Sequence, residues 1–515
     1  MITKTLTAIT HGLLTQPIQV EIDLSSGLPQ VIVVGLPDKS VQESKERLRA
    51  SLKESGFEFP LGRITFNLAP ANVAKSGSGL DLAMAVGLLE VIGMIPKIPE
   101  NSIFLGELAL DGKIRPIPGI LNIALWARDN GIVNFFCPSL NKEELSLISN
   151  LNVFPVQSLA EIVEHLRKKK QIDLLQTKSL SQLQQSVNSN SSKDMCFVRG
   201  QAMAKRALEI SASGGHNLLL IGTPGSGKTM LARCLPGILP ALTEAEVLEV
   251  TRIYSIAQLL PESQLILQRP FRSPHHTSSQ ISLIGGSSKL RPGEISLAHR
   301  GVLFLDEFPE FSRESLESLR QPLEDGEINI SRAFGSVTFP AKFTFVAAAN
   351  PTPSGFNNNP NNGQNQQQAA KSIARYQAKF SGPILDRIDL RVEVNNPTKE
   401  ELGNIIDGES SFEVAKRVLK ARQIQQSRLA EPSAKLGNQP GMFTNSEMGS
   451  AEIKKYCQLS PDSLALLNKA VDKFNLSARS YNRILKLSRT IADLAGSENI
   501  QTAHLAESLQ YRGRF

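Results

Sequence analysis

The chain has 515 residues and a formal net charge of +7 at pH 7, and this length favours two to four domains over a single core. It contains no run of about 18 apolar residues that would span a membrane, and its first residues lack the regions of an export signal, so we expect a cytoplasmic protein. The basic charge permits nucleic acid as a partner, although many basic proteins bind none.

The N-terminal part, residues 1–168, is predicted to be one α/β domain. Strand-like runs such as VIVVGL and RITFNLA alternate there with helical segments such as GLDLAMAVGLLEVIGMI. Residues 169–195 are poor in large apolar side chains and rich in Ser, Gln and Asn. Such a segment buries too little surface to order itself well, so we interpret it as a linker.

Residues 196–395 alternate apolar strands with helices, which predicts a parallel sheet covered by helices on both faces. Within this part, GFNNNPNNGQNQQQ has no apolar period and is expected to form an exposed, mobile loop. From residue 396 to residue 515, helical patterns such as SARSYNRILKLSRTIADLAG dominate. They indicate a small helical C-terminal domain.

A phosphate-binding loop is predicted between the strand NLLLI and the helical segment MLARCL. Its sequence, GTPGSGKT, matches G-x-x-x-x-G-K-[ST] in the strand-to-helix context that this motif requires. The glycines let backbone N–H groups close on a phosphate, Lys228 adds positive charge, and the Thr229 hydroxyl can bind magnesium. The predicted nucleotide-binding residues are Gly222, Thr223, Pro224, Gly225, Ser226, Gly227, Lys228 and Thr229.

Two further strands end in polar residues. GVLFLDE ends in Asp306 and Glu307, which fit a magnesium partner and a residue that orients or deprotonates the attacking water. FTFVAAAN ends in Asn350, which suits either a sensor of the γ-phosphate or the start of the turn NPTP. Arg387 and Arg479 complete the set, and either of them alone is also consistent with a surface ion pair.

The order of these motifs resembles that of AAA+ ATPases, and longer stretches resemble the magnesium-chelatase-like family of that group, in particular its bacterial ComM/YifB members. These stretches are RPFRSPHHTSSQISLIGG, RPGEISLAHRGVLFLDEFPEF, LESLRQPLEDGEINISR and SGPILDRIDLRVEV, and nearly the whole chain shares the resemblance. The resemblance implies ATP and Mg²⁺ as cofactors. It also implies a P-loop AAA+ core, a Lon-protease-like (S5-type) N-terminal α/β domain and a helical C-terminal lid.

The resemblance also implies assembly into a homo-oligomeric ring, a hexamer. In this ring, Arg387 is implied to reach into the neighbouring subunit's site. Arg479 is implied to sense nucleotide from the lid. Glu307 and Asn350 take the catalytic roles described above, and Thr229 and Asp306 hold Mg²⁺. The implied activity is ATP-driven branch migration of DNA recombination intermediates during natural transformation.

Two segments are candidates for contact with DNA. The first, QRPFRSPHHTSSQ, carries Arg269 and Arg272 together with two adjacent histidines. The second, the hairpin-like EINISRAFGSVTFPAKF, carries Arg332 and Lys342 around a turn at Gly335. Lys and Arg dominate contacts with the phosphate backbone, but a charged surface hairpin that binds nothing is equally consistent with the second pattern.

Two departures from the family bear on function. Relatives commonly have cysteine pairs after the sensor Asn, where this chain reads NPTPSGFNNNPNNGQNQQQ, so we expect no zinc site there. In the N-terminal domain, the position of a Lon-type nucleophile is occupied by Gly79, and the position of its lysine falls near Leu121 or Asn122. We therefore expect no peptidase activity, because a serine nucleophile needs a neighbouring base.

The main alternative function is a metallochelatase-type AAA+ motor subunit that acts on a partner protein. The Lon-like domain argues against it. A further alternative is an ATP-dependent protease or unfoldase, which Gly79 disfavours. Another is a non-enzymatic platform that binds ATP, which the pairing of Asp306 with Glu307 disfavours.

Overall fold

The computed structural model describes most of the chain, and the structural statements below refer to the described residues. They are residues 2–185, 193–261, 264–286, 290–332, 335–351, 382–396, 398, 408–433, 444–474 and 476–512. The Asn- and Gln-rich stretch predicted to be a mobile loop lies outside them. Within these ranges, no helix combines the length and the apolar character needed to cross a bilayer.

A seven-stranded mixed sheet organises the N-terminal part, in the spatial order β3-β4-β2-β1-β5-β8-β9. Its strands are β1 (Ile2–His11), β2 (Leu14–Ser25), β3 (Gln30–Val34), β4 (Arg63–Ala69), β5 (Ser102–Phe104), β8 (Asn134–Pro138) and β9 (Asn152–Val156). The short strands β6 (Glu107–Leu108) and β7 (Ile114–Arg115) form a separate ladder. The helices are α1 (Lys39–Glu54), α2 (Asp81–Val91), α3 (Ile120–Asp129) and α4 (Leu159–Leu166).

Both faces of this sheet are covered, because successive residues of a strand point to opposite sides. Phe104 and Phe136 pack in the cluster formed with α1, α2 and α4, whereas Ile103 and Phe135 pack in the cluster formed with α3. Helix α2 is buried along its length except at Glu90, which accounts for its apolar sequence.

The segment predicted to be a linker is partly packed. Ile172 is buried and Leu175 joins the cluster around α3. A short helix, α5 (Leu180–Gln185), places Leu180 and Leu183 against a small apolar cluster of the following domain. A few spaced aliphatic side chains therefore hold this segment against the protein, although its average composition is polar. Residues 186–192 of the segment lie outside the described residues.

A five-stranded, all-parallel sheet forms the centre of the next part, in the order β11-β12-β15-β10-β16. Its strands are β10 (Leu218–Gly222), β11 (Phe271–Arg272), β12 (Val302–Leu305), β15 (Thr344–Ala349) and β16 (Leu390–Val394). Val302 and Phe304 pack on one face of this sheet, and Leu303 and Leu305 pack on the other. The predicted core, a parallel sheet covered on both faces, is confirmed.

The remaining elements surround this sheet. They are α6 (Ala202–Gly214), α7 (Lys228–Ile238), α8 (Glu244–Ala257), α9 (Gln280–Ile284), α10 (Glu294–Leu297), α11 (Arg313–Glu317), α12 (Arg320–Asp325), the hairpin strands β13 (Glu327–Arg332) and β14 (Gly335–Pro340), and α13 (Gly382–Leu385). The C-terminal part consists of α14 (Ser411–Ser433), α15 (Ser450–Tyr456), α16 (Pro461–Phe474), α17 (Ala478–Leu494) and α18 (Thr502–Gln510). Val414 and Val418 of α14 pack in the same cluster as residues of α6 and α7, which joins the C-terminal helices to the core.

The N-terminal sheet domain docks on the core through helix α8. Arg252 of this helix donates through Nε to Oδ1 of Asn122 at 2.5 Å, and through Nη2 to the carbonyl of Leu13 at 3.2 Å. Its guanidinium is largely enclosed, and burial lowers its pKa. A buried cation is costly to leave without partners, so these two acceptors fix the relative position of the two parts.

Ser255, three residues after Arg252 and therefore on the same helix face, makes the second docking contact. Its hydroxyl donates to Oε2 of Glu144 at 2.9 Å and accepts from the backbone N–H of Gly119 at 2.9 Å. The other carboxyl oxygen of Glu144 accepts from Asn141 at 2.6 Å. Burial raises the pKa of Glu144 to about 7.

This raised pKa predicts a pH dependence of stability. The folded chain keeps the Glu144 proton up to about pH 7, whereas the unfolded chain loses it near the ordinary value of 4.5. The contribution of the Glu144 proton to the free energy of unfolding is therefore complete below pH 4.5. It is lost as the pH rises to 7, and its size is on the order of 3 kcal/mol. Glutamine is neutral at every pH. We therefore expect the melting temperature of Glu144→Gln to fall less between pH 5 and pH 8 than that of the parent.

The matched control is Glu143→Gln, because Glu143 is a partly exposed neighbour that pairs with Lys178. Its pH profile of melting temperature should follow that of the parent. Identical profiles for the parent and Glu144→Gln would contradict the assignment of a raised pKa to this buried carboxyl.

Candidate functional site

The loop between β10 and α7 has the backbone geometry of a phosphate-binding loop. Gly225 and Gly227 have φ angles of +80° and +91°, a left-handed region that favours glycine. At Gly222 a Cβ atom would lie 2.2 Å from the carbonyl oxygen of Val394, so the close approach of β16 requires a glycine. Helix α7 begins at Lys228, directly after the loop, and its free N–H groups and dipole suit an anion.

Lys228 is buried, and its ammonium group lies at the mouth of this loop. Nζ donates to the carbonyls of Gly222 at 2.7 Å and Thr223 at 2.8 Å, and to Oδ1 of Asn350 at 3.3 Å. Burial lowers the pKa of this lysine. Because all three partners are neutral acceptors, an anionic phosphate oxygen would be a stronger partner for the same ammonium.

Thr229 and Asp306 form the predicted magnesium pair. The Thr229 hydroxyl donates to Oδ2 of Asp306 at 2.7 Å, and Oδ1 of Asp306 accepts from the backbone N–H of Glu307 at 3.0 Å. A hydroxyl and a carboxylate at this distance are oxygen donors of the type that Mg²⁺ takes from proteins alongside phosphate oxygens and water. The residues present therefore fit the ion.

Glu307 follows Asp306 at the end of β12 and has a left-handed backbone with φ of 50°. Its side chain is 55% exposed, and Oε2 lies 3.1 Å from Nδ1 of His276. No local pattern in the sequence links these two residues, which are 31 positions apart. The signal that links them is the pairing of β11 with β12, which brings the segment after β11 beside the end of β12.

The structure thus brings Lys228, Thr229, Asp306, Glu307 and Asn350 to one edge of the sheet. These residues follow β10, β12 and β15, three strands that are neighbours in the sheet order. Parallel strands place their carboxyl ends at the same edge. The side chains predicted to bind and hydrolyse a nucleotide therefore lie together, and their individual roles remain predictions.

Arg387 and Arg479 lie elsewhere. Both contact Oε1 of Glu324, Arg479 at 2.8 Å. Arg387 lies just before β16, and its carbonyl accepts from the side chain of Asn217, the residue that precedes β10. The pair is therefore beside the amino ends of the strands, and a five-residue strand spans roughly 16 Å. Both arginines therefore contact Glu324 at the end of the sheet opposite to Lys228.

The arginines proposed to contact DNA differ in their surroundings. Arg269 is largely buried and donates to the carbonyls of Pro240 at 2.5 Å and Arg300 at 2.7 Å, and it pairs with Glu246 at 3.1 Å. Its internal partners do not favour contact with DNA.

Arg272 is also engaged within the chain, in a two-bond pair with Glu294, both bonds at 2.7 Å. Arg332 ends β13 of the predicted hairpin and pairs in register with Gly335. The Arg332 side chain lies outside the described residues. The hairpin is attached to the core by inward residues of both strands, namely Ile328, Ile330, Val337 and Phe339.

In the N-terminal domain, the residues that align with a Lon-type site have structural partners. The ammonium of Lys75 is enclosed and donates to the carbonyl of Pro70, and the Ser78 hydroxyl donates to Glu107. Leu121 is fully buried in the cluster around α3. Its neighbour Asn122, the other residue near which the lysine is expected, holds Arg252 in the contact with the core.

Comparison with known proteins gives matches along nearly the whole chain. Residues 194–402 match the family described as magnesium chelatase, subunit ChlI; residues 20–141 match subunit ChlI of Mg-chelatase; and residues 408–512 match its C-terminal region. The chain is 41% identical over 497 residues to the competence protein ComM of Haemophilus influenzae, covering 96% of this chain and 94% of that protein.

Two further relatives bear on the description. The YifB protein of Salmonella typhimurium is 40% identical over 503 residues, with 97% of this chain and 95% of YifB covered. A Lon protease of Mycoplasmopsis agalactiae is 27% identical over 175 residues, 32% of this chain and 18% of the protease. The predicted family resemblance is confirmed.

The geometry of the loop predicts a loss of nucleotide binding when Lys228 is removed. Lys228→Ala should weaken the affinity for ATP roughly ten- to a hundredfold, because a hydrogen bond to a charged group is lost at an enclosed position. Titration with a fluorescent ATP analogue in the presence of Mg²⁺ measures this change. Lys416→Ala, at an exposed lysine of α14 that pairs with Glu413, is the control and should bind as the parent does. Equal affinities of the parent and Lys228→Ala would overturn the site.

Proposed function

Because this chain belongs to the magnesium-chelatase-like AAA+ ATPases of the ComM/YifB type, we propose that it is a ring-shaped motor that uses ATP hydrolysis to move DNA. The observation that carries the ATPase part is the convergence of five hydrolysis residues at the edge where β10, β12 and β15 end. The similarity over nearly the full length to a competence protein supports DNA as the substrate, with branch migration of recombination intermediates as the specific activity.

In the proposed reaction, the loop N–H groups and Lys228 bind the phosphates of ATP. Thr229 and Asp306 would hold Mg²⁺, which neutralises charge on the phosphate oxygens when bound. Glu307 accepts the proton of the attacking water or orients that water, and the Asn350 amide contacts the transferred phosphoryl group. Lys228 donates to Asn350, and Thr229 donates to Asp306, which also accepts from the backbone N–H of Glu307. The carboxylate of Glu307 instead pairs with His276.

The position of Arg387 supports assembly into a ring. The guanidinium shares Glu324 with Arg479 beside the amino ends of the strands, away from the phosphate-binding loop of its own chain. An arginine that stabilises the transferred phosphoryl group must therefore come from a neighbouring subunit. Arg479, implied by the family resemblance to sense nucleotide from the lid, contacts the same carboxylate, so it could also reach the neighbouring subunit's site. A closed ring gives every site such a neighbour.

Within the proposed ring, the β13–β14 hairpin is the favoured contact for DNA. It carries Arg332 at the end of β13, and its inward residues pack in the same apolar cluster as residues of β12 and β15. Movement at the ATP site could thus be passed to it through packed side chains. Arg269 and Arg272 are bound to carboxylates of their own chain, so we assign them to positioning this region and not to the primary DNA contact.

A metallochelatase-type motor that acts on a partner protein is the second candidate. The names of the matching family models favour it. The near-complete coverage of the competence protein ComM, which includes the N-terminal domain, favours the DNA motor.

Mixed rings test the role of Arg387. Arg387→Ala and Lys228→Ala should each lower ATP turnover at least tenfold, since one loses the donated arginine and the other loses the phosphate ligand. When the two variants are mixed, some interfaces combine an intact Lys228 site with an intact Arg387, so part of the activity should return. Turnover of Arg387→Ala at the parent rate, or no recovery on mixing although mixed rings form, would contradict a shared site.

DNA should activate the ATPase and be moved by it. We expect four-way-junction DNA to raise the ATPase rate and a labelled junction strand to be displaced only with ATP. Binding should weaken steeply with salt, and Arg332→Ala should lower affinity across DNA sequences without removing the basal ATPase rate. Glu307→Gln, which should bind ATP without hydrolysing it, is the control for motion driven by hydrolysis. An ATPase rate indifferent to every form of DNA, with no strand displacement, would reject the DNA motor.

A further inference from the structure

A cavity of about 490 Å³ lies at the amino ends of the core strands, at the edge of the sheet opposite to Lys228. Asn217 before β10, Thr344 at the start of β15 and Asp389 before β16 line it, together with residues of α14 and α17. Sites for small molecules commonly have volumes of about 300–1,000 Å³. The hydrolysis proposed above uses none of the residues that line this space.

Three half-buried cations from separate parts of the chain line the cavity. Lys342 follows the hairpin strand β14, Arg422 belongs to α14 and Lys486 belongs to α17. Arg422 donates through Nε and Nη2 to the carbonyl of Ala212 at 3.0 Å and 2.7 Å, and Lys486 donates to the carbonyl of Ser446 at 2.8 Å. Within the described ranges, none of the three cations is paired with a carboxylate.

The fold also fixes the position of Lys342. Its backbone N–H donates to Nδ1 of His299 at 3.0 Å, and its carbonyl accepts from the N–H of Arg300 at 2.6 Å. Gly326 has a φ of +70°, and a Cβ atom there would lie 3.0 Å from Cγ of Lys342. Glycine at this turn therefore leaves room for the lysine side chain, and the cation is positioned before any ligand binds.

The electrostatics of the cavity favour an anion. Burial, and after it the charge of Arg269, lowers the pKa of Arg422 to about 10. Burial also lowers the pKa of Lys486. Both shifts mean that the surroundings of the two cations compensate their charge incompletely, which is costly away from bulk water. An anion between them would offset this cost through charge-assisted hydrogen bonds.

The carboxylates that also line the cavity are Glu246, Glu324, Asp325, Asp389 and Glu447. Arg269 pairs with Glu246 at 3.1 Å, and Arg483 pairs with Asp389 at 3.2 Å. Glu324 holds the two arginines described above, and Glu447 accepts from the N–H of Thr444 at 3.2 Å. Asp325 is exposed. These carboxylates therefore neutralise other groups and leave Lys342, Arg422 and Lys486 for a ligand.

A phosphate group matches these three cations. A guanidinium offers a planar set of donors to phosphate oxygens, and an ammonium acts as a compact positive charge beside them. The cavity has room for more than one phosphate group. Its chemistry is therefore that of a site for a diphosphate or for a small phosphorylated molecule.

We propose that this cavity binds a small phosphate-bearing anion, which joins the base of the hairpin at Lys342 to the C-terminal helices through Arg422 and Lys486. The site is separate from the phosphate-binding loop and from the Arg387–Glu324–Arg479 cluster. It depends only on the fold and does not require that the chain move DNA. Because the ligand binds the folded chain, it also stabilises it.

The test measures binding of pyrophosphate to full-length Lys228→Ala by isothermal titration calorimetry at constant ionic strength. Lys228→Ala lacks the lysine of the phosphate-binding loop, so the remaining binding should report the cavity. Adding Lys342→Met and Lys486→Met together should weaken this affinity roughly tenfold or more, because two hydrogen bonds to charged groups are lost. The matched control is Lys416→Met in the same background, at an exposed lysine of α14 that pairs with Glu413, and it should bind as the background does.

The single variants Lys342→Met and Lys486→Met each keep one ammonium and should bind with intermediate affinity, which keeps the test valid if the double variant folds poorly. Pyrophosphate should also raise the melting temperature of the background more than that of either single variant. No binding by Lys228→Ala, or the same affinity in the lysine variants as in the background, would overturn the site.

Two further arms identify the source of the phosphate. A short single-stranded oligonucleotide should not displace pyrophosphate, and displacement would assign the cavity to nucleic acid and overturn the small ligand. Arg387→Ala in the Lys228→Ala background should keep the affinity for pyrophosphate. A loss of affinity there would place the phosphate at the subunit junction proposed above and overturn a separate site.

Discussion

The candidate ATP site depends on the register of three neighbouring parallel strands. Leu305 of β12 lies beside Ala347 of β15, and Ala347 lies beside Leu219 of β10. The residues that follow each strand therefore emerge at one edge, where an Asn amide, an Asp carboxylate and the glycine loop come within hydrogen-bond reach of Lys228 or Thr229. No strand carries the site alone. A shift of one strand would move its polar residue away from the others and turn its apolar side chains to the wrong face.

The same strands also hold two functional regions apart. The phosphate-binding loop lies at their carboxyl ends, and the Arg387–Glu324–Arg479 cluster lies at their amino ends. Two guanidinium groups repel one another, and the shared carboxylate offsets that repulsion in the single chain. In the proposed ring, a phosphate of the neighbouring subunit would compete with Glu324 for both arginines. The separation inside one chain is thus the reason why assembly and catalysis would be coupled.

The sequence predicted much of this structure because the relevant signals are local. The glycine pattern, the strand ends and the apolar periods are each contained in short windows, and they led to the parallel core and to the convergence of Lys228, Thr229, Asp306 and Asn350. The missed features join distant parts of the chain. The pairing of His276 with Glu307 follows from the adjacency of two strands, and the enclosure of Arg269 follows from Glu246 and carbonyls on other elements. Average composition likewise concealed the few aliphatic side chains that pack the predicted linker.

The contact between Asn122 and Arg252 limits which side chains residue 122 can take. The resemblance to Lon-type enzymes implies a lysine near Leu121 or Asn122, and in this chain Asn122 fastens the N-terminal domain to helix α8. A lysine at residue 122 would place a second positive charge beside an enclosed guanidinium. A charged lysine at residue 122 and the present contact between the N-terminal domain and helix α8 therefore exclude each other.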